Sequence, residues 1–130
     1  MKLSKEIIQT ILDAESKALA TSGDTINVVP VSTVRIVNNN IILVDYFMGK
    51  TLDNLQKNQH VSLVCWSGFH GYQIKATVEY KQNGNVFNTT KKWVQETYNN
   101  NNKIKGILVL TPTRVFDISP NKDQAGKEAV

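Results

Sequence analysis

The sequence predicts a mainly β fold, an antiparallel β-barrel with peripheral helices. Three observations carry this. Valine- and isoleucine-rich runs of strand length recur between Ala18 and Ile118. Short turn signals join successive runs. Strand and helix do not alternate regularly, which separates the chain from a parallel, doubly wound sheet. The 130 residues suit a single domain over 1–130, of about six strands and three helices.

The elements follow in order. Ser4 is a plausible N-cap for a first helix over about residues 4–16. Leu3 and Ile8 are placed for a hydrophobic staple, and Ile7, Ile8, Ile11 and Leu12 make one apolar stripe. Ala18-Leu19-Ala20-Thr21 is a short strand that ends at Ser22-Gly23-Asp24. Ile26 to Val37 reads as one long strand, with Pro30 predicting an edge, a bulge or interrupted pairing, because proline has no N–H to give. Asn38-Asn39-Asn40 makes a tight turn, and Ile41 to Tyr46 returns as the second arm of a hairpin.

Lys50 to Asn58 reads as a two-turn helix with Thr51 as a possible cap. His60 to Trp66 and Tyr72 to Tyr80 are strands. In the second of these, Ile74, Ala76 and Val78 alternate with Lys75, Thr77 and Glu79. Val86 to Tyr98 is a helix, with Trp93 as its anchor on the barrel, and Asn99-Asn100-Asn101-Asn102 is a loop. Ile104 to Ile118 holds two apolar bursts, which Pro112 separates at an edge or bend. Residues 120–130 are polar and are expected to form a mobile tail.

Composition narrows the function classes. Cys65 is the single cysteine, so no internal disulfide forms, which fits a reducing compartment. Its apolar neighbours make it a small buried hydrophobe. The N-terminal residues lack the apolar core of a secretory signal, and no apolar run approaches the ~20 residues of a membrane helix. The expectation is a soluble, cytoplasmic protein. A net charge of +4 suits anionic ligands or simply a solvated surface. His60 and His70 are the only histidines and lack partners at metal-ligand spacing, so no metal site is expected. Cys65 and Ser67 are possible nucleophiles for which nothing nominates a base, leaving catalytic residues unassigned. Neither G-x-G-x-x-G nor a P-loop occurs. With so little acid–base machinery, an enzyme built on this chain would take its chemistry from a bound cofactor.

The most informative stretch is Asp45-Tyr46-Phe47-Met48-Gly49-Lys50-Thr51-Leu52-Asp53-Asn54, where a strand, a glycine-containing turn and a short helix follow one another. The first helical turn has free N–H groups and partial positive charge. Lys50 adds a full charge and Thr51 a hydroxyl, which together suit a phosphate-sized anion. Charge-assisted bonds of ~1.5–3 kcal/mol each suffice there for a cofactor. Read alone, the stretch also fits a solvated lysine beside an ordinary cap. Likewise Val29-Pro30-Val31-Ser32-Thr33 is either a plain edge strand or a strand whose unpaired backbone groups meet a flat heteroaromatic ring.

Several motifs stand in a shared order. Ala18-Leu19-Ala20-Thr21 precedes a turn, and Asn27-Val28-Val29-Pro30-Val31 forms the following strand. Lys50-Thr51, Asn54-Leu55 and Asn58 mark a lysine-led helix. Gly71 to Ala76 lies in a later strand, and Val115-Phe116-Asp117-Ile118 precedes Ala125-Gly126-Lys127. In this order they resemble the flavin-binding split barrel of the pyridoxamine 5′-phosphate oxidase-like family. The resemblance implies a six-stranded antiparallel split barrel that binds flavin mononucleotide (FMN) at the interface of a homodimer. Lys50 and Thr51 would hold the phosphate. Pro30, Val31 and Ser32 would line the isoalloxazine ring with help from Asp45, Tyr46, Phe47, Met48 and Gly49, and Asn54 joins this cofactor-binding set. Trp66 and Tyr72 are candidates from the second subunit.

The chain departs from the family pattern at Ala76, where glycine is usual, and at Gln59, where proline is usual. It has only Arg35 and Arg114, whereas the oxidases use arginines near the phosphate and the substrate. The implied function is therefore a small redox protein, or an FMN-dependent reductase or oxidase acting on a small molecule or electron donor, rather than pyridoxamine phosphate oxidation itself. The alternatives are a non-catalytic or sensory flavin protein, a binder of haem or deazaflavin, and a small basic nucleic-acid-binding barrel. The last is disfavoured because no lysine stripe accompanies Trp66, Tyr72 and Tyr80.

Overall fold

The computed structural model describes residues 1–99 and 103–130. The chain runs α1 (Lys5–Asp13), β1 (Ser16–Ser22), β2 (Ile26–Pro30), β3 (Val34–Val37), β4 (Asn40–Asp45), α2 (Lys50–Lys57), β5 (His60–Ser67), β6 (His70–Lys81), α3 (Asn85–Tyr98) and β7 (Gly106–Asp117). Ser4 caps α1, its hydroxyl accepting the Ile7 N–H at 3.2 Å. The helix stops short of Ser16 because Ser16 already pairs with Trp66 across β1 and β5. Asn38 and Asn39 take φ of 49° and 67° in the β3–β4 turn, a left-handed conformation that asparagine tolerates. Asn99 ends α3 in the same region, while Asn100–Asn102, read as part of a loop, lie outside the described residues.

The strands form one 7-stranded antiparallel sheet in the order β2-β1-β5-β6-β7-β4-β3. Seven strands replace the expected six because residues 26–37 are two strands rather than one. The reason lies at Pro30, as its missing N–H suggested. The Val31 N–H still reaches the Lys17 carbonyl at 3.0 Å, but two residues later the Thr33 carbonyl accepts from the Val44 N–H on β4 at 3.3 Å. The chain has crossed from one sheet edge to the other. Three residues span no more than about 11 Å, so β2 and β3 must lie close together and the sheet must curl into a barrel. The barrel is split where residues 31–33 cross.

Pro112 sits in β7 just past Leu110, the last β7 residue paired with β4, so at this point β7 is paired with β6 alone. Arg114 lies opposite Lys75 and Pro112 opposite Ala76, with a register shift between them. Thr113 is the extra residue of this β-bulge, and its hydroxyl bonds the Lys75 carbonyl at 3.1 Å. The two apolar bursts are thus one bent strand.

Leu19, Ile41, Leu43, Leu63, Ile74, Leu108 and Leu110 fill the barrel, and Ile7 and Ile11 of α1 close one end. Outside it, Ile42, Val44 and Ile107 pack under Val94 and Trp93 of α3. β4 is therefore covered on both faces, which accounts for its unbroken apolar run. Trp93 serves as the expected helix anchor, with the Arg35 guanidinium 5.2 Å from its ring centre. Residues 120–130, expected as a mobile tail, fold back along β7. Ala129 N–H bonds the Val115 carbonyl and Asp117 N–H the Lys127 carbonyl, both at 2.8 Å, and Arg114 pairs with Glu128 at 2.7 Å. No helix among the described residues is long and apolar enough to cross a membrane.

Candidate functional site

A cleft of about 420 Å³ opens at the split, between the β2–β3 crossing and the loop from β4 into α2. Nine of the eleven proposed contact residues line it: Pro30, Val31 and Ser32 on one wall, Tyr46, Phe47, Met48, Gly49, Lys50 and Thr51 on the other. Two hydrogen bonds tie the walls together. Asn27 Nδ2 donates to Thr51 Oγ1 at 3.2 Å, and the Thr33 and Tyr46 hydroxyls meet at 3.3 Å.

The α2 end of the cleft is built to attract anions. Gly49 is the N-cap and makes no side-chain capping bond. The first intrahelical bond comes from Asp53 N–H to the Gly49 carbonyl at 3.1 Å, so the Lys50, Thr51 and Leu52 amides have no intrahelical acceptor. A Cβ added at Gly49 would meet no atom within 4 Å, which leaves this helix end approachable. Lys50 is exposed and, among the described residues, is the one charged residue on the cleft wall. Thr51, read as a possible cap, is instead inside the helix and 1% exposed, with its hydroxyl turned to Asn27.

Asp45 and Asn54 do not line the cleft; they hold its frame. Asp45 is fully buried. Its carboxylate accepts the Met48 N–H at 2.6 Å and the Tyr80 hydroxyl at 2.6 Å. Asn54 donates to the Thr21 hydroxyl at 3.1 Å and the Thr25 carbonyl at 3.2 Å, fixing α2 to the β1–β2 turn. That turn packs so tightly that a Cβ at Gly23 would lie 2.5 Å from Asn54 Oδ1.

Other candidates lie elsewhere. Cys65 is fully buried; burial pushes its thiol up to about 12 despite the opposing charge of Lys17, so it is no nucleophile at neutral pH. Tyr72 points into the core, and its hydroxyl lies 3.4 Å from Glu6. Trp66 stands on the outer face and is 37% exposed. His60 and His70 are exposed and outside the cleft.

With that geometry in place, known proteins supply the context. The sequence pattern of the pyridoxamine 5′-phosphate oxidase family matches residues 3–122. This chain belongs to that family. It is 29% identical to an uncharacterized protein of Methanocaldococcus jannaschii, over 98% of this chain and 87% of the other. Among solved structures it resembles HupZ of Group A Streptococcus (TM-score 0.80, 19% identity, 96% of this chain and 98% of that one). An FMN-binding protein from Syntrophomonas wolfei superposes with a TM-score of 0.77 at 19% identity, over 89% and 86% of the two chains. HutZ, the haem storage protein of Vibrio cholerae, gives 0.67 at 14% identity, over 89% and 94%. These likenesses establish the split-barrel fold.

Within this family member, the cofactor-binding set named from the sequence omits Asn27, Val29 and Val44 of the lining, although Val29 stood in the run Val29–Thr33 offered for a ring. For two of them a signal existed. Alternation along β2 puts Asn27 and Val29 on the face that Val31 continues, while Ile26 and Val28 face outward; Pro30, at the strand end, still borders the cleft. Val44 had none, because β4 is buried throughout and its pattern does not tell one face from the other.

Proposed function

We propose that the chain binds FMN in this cleft and serves as a small flavin redox protein, passing electrons to or from a small acceptor. The observation that carries the reading is the open N-terminus of α2, with Lys50 beside it, at one end of a cleft whose other wall is the crossing Val31–Ser32 between β2 and β3. The donor set fits the cofactor. The Lys50 ammonium and the first-turn amides suit a dianionic phosphate. Val29, Pro30, Val31 and Met48 offer apolar surface to a flat ring, and Ser32 and Tyr46 offer hydroxyls at its margin. When bound, the flavin supplies the electron transfer. The protein's own residues bind the phosphate, orient the ring and keep one of its faces from water.

The same reading includes a homodimer. On the outer face of β2-β1-β5, Ile26 is 80% exposed, Val28 62% and Trp66 37%. Ala18, Ala20 and Val64 lie between them in register. An apolar sheet face of this kind next to the cleft suits a second copy, which would close the open side of the site. Haem is the second reading, through the likeness to HutZ. The lining holds no histidine, so the donor set favours flavin. The test is spectral: purified protein titrated with FMN should show a shifted, structured flavin band with quenched fluorescence. A Soret band on haem addition with no response to FMN would replace the flavin reading with the haem one.

A further inference from the structure

The loop that carries the anion end of the cleft is braced from two strands away. Asp45 on β4 lies opposite Gly106 on β7, and Tyr80 on β6 lies opposite Leu108 of the same β7. Gly106 and Leu108 share a face of β7, so the Tyr80 ring passes over Gly106 to reach Asp45. Only glycine permits this: a Cβ at 106 would lie 2.2 Å from the Tyr80 oxygen. The Tyr80 hydroxyl donates to Asp45 Oδ2 at 2.6 Å, and Asp45 Oδ1 takes the Met48 N–H at 2.6 Å. Lys105, next to Gly106, adds a second brace. Its N–H bonds the Asp45 carbonyl at 2.9 Å, and its Nζ bonds the Met48 carbonyl at 3.0 Å. Both backbone polar groups of Met48 are thereby held, one residue before the N-cap Gly49.

We propose that Tyr80, reaching over Gly106 to Asp45, is a positioning residue that fixes the Met48–Gly49 backbone, so that the cleft selects a phosphorylated flavin over its unphosphorylated form. The selectivity half rests on the flavin reading; the bracing half does not. Neither Tyr80 nor Asp45 touches the cleft, so each acts through Met48. Asp45 is a fully buried carboxylate, and such a group needs good donors. Burial, and then the Asp45 carboxylate itself, raise the Tyr80 phenol above its ordinary range, so it remains a donor at neutral pH. Removing that donor leaves the carboxylate free to shift, and the Met48 N–H moves with it. A displaced Met48–Gly49 peptide misaims the α2 amides at the phosphate and leaves the ring wall formed by residues 29–32 in place.

The experiment uses the full chain with Tyr80→Phe, which keeps the ring over Gly106, and Lys105→Met, whose side chain is exposed and whose loss spares the core. Amide hydrogen exchange at Met48 and Gly49 is measured without ligand, and FMN and riboflavin are titrated in parallel. Tyr80→Phe should speed Met48 exchange about tenfold and weaken FMN about tenfold, with riboflavin changed less than about twofold. Lys105→Met should act in the same direction. Unchanged Met48 exchange in Tyr80→Phe overturns the bracing by Tyr80, whatever Lys105→Met shows. Equal loss for the two flavins overturns the selectivity. Wild-type protein that binds neither flavin overturns the flavin reading and the selectivity with it, while the exchange rates still decide whether Tyr80 holds the loop. If Tyr80→Phe does not fold, Asp45→Asn, which keeps the shape and weakens the acceptor shared by Tyr80 and Met48, decides by the same criteria.

Discussion

Lys50 is the residue on which the proposed anion binding turns, since among the described residues it brings the one full charge on the cleft wall. Its side chain is exposed and no core residue depends on it, so Lys50→Ala should separate binding from stability. FMN affinity should fall about tenfold, with the largest effect at low ionic strength, while the thermal midpoint stays within a degree or two. Calorimetric titration at two salt concentrations measures both. Equal affinity for FMN in Lys50→Ala and wild type would remove the lysine from the site. Cys65 makes a prediction of a different kind. Burial raises its thiol from an ordinary 9.0 to about 12, so above pH 9 the unfolded chain releases a proton that the native chain keeps. Stability therefore falls as pH rises from about 9 toward 12, with a slope of up to about 1.4 kcal/mol per pH unit. Tyr72 and Tyr80 are raised as well and add to the slope above their ordinary 10.0. Urea unfolding of wild type and Cys65→Ala at pH 8 and 10.5 should show a smaller pH loss in the variant; identical losses would contradict it. At this scale the sequence named residues that the fold gathers at one cleft and blurred which of them face it. Asp45 and Asn54 sit in the right motif, yet nothing in the chain order tells a residue that faces a cleft from one that turns inward to hold its frame.

Elements show the same division. α2 was readable from its glycine start, its lysine and its leucine spacing. Its cap was not, because a threonine suits both a cap and a buried position within the first turn, and only the packing of Asn27 against Thr51 distinguishes them. Strand chemistry at Pro30 foretold an interruption, but a missing N–H does not say that the chain then crosses to the opposite sheet edge. Pro112 carried the same signal and produced a bulge, because Thr113 absorbs the register shift. α2 depends on Asn54 for its seat: the amide joins the helix to Thr21 and Thr25, and Lys57 pairs with Asp24 nearby. Asn54→Ala leaves a buried Thr21 hydroxyl without its partner, so unfolding free energy should drop by about 1–3 kcal/mol. FMN affinity should fall with it as the helix loses its fixed angle. Denaturant midpoints and flavin titration on one preparation check the pair; a fully stable Asn54→Ala protein would show that the turn and helix are held by apolar packing alone.

For the whole molecule, closure of the barrel and the position of the cleft have one cause. β2 and β3 are neighbours in sequence and opposite edges of the sheet, so the curl and the split arise from the same three residues. The barrel was legible from its strand runs and short turns. The apolar outer face was not, because strand periodicity alone does not say which face of Ile26–Pro30 turns outward; the register places Ile26 and Val28 there. If that face seats a second copy, Val28→Glu with Trp66→Glu should give a monomer by sedimentation at micromolar concentration, with FMN binding weakened more than tenfold. A variant that stays dimeric would move the interface elsewhere. The central claim meets its most direct test in an equilibrium titration of freshly purified wild-type protein with FMN, followed by flavin fluorescence. Saturable quenching at one FMN per chain with micromolar or tighter affinity is the expected result. Fluorescence that tracks free FMN at every concentration would contradict it.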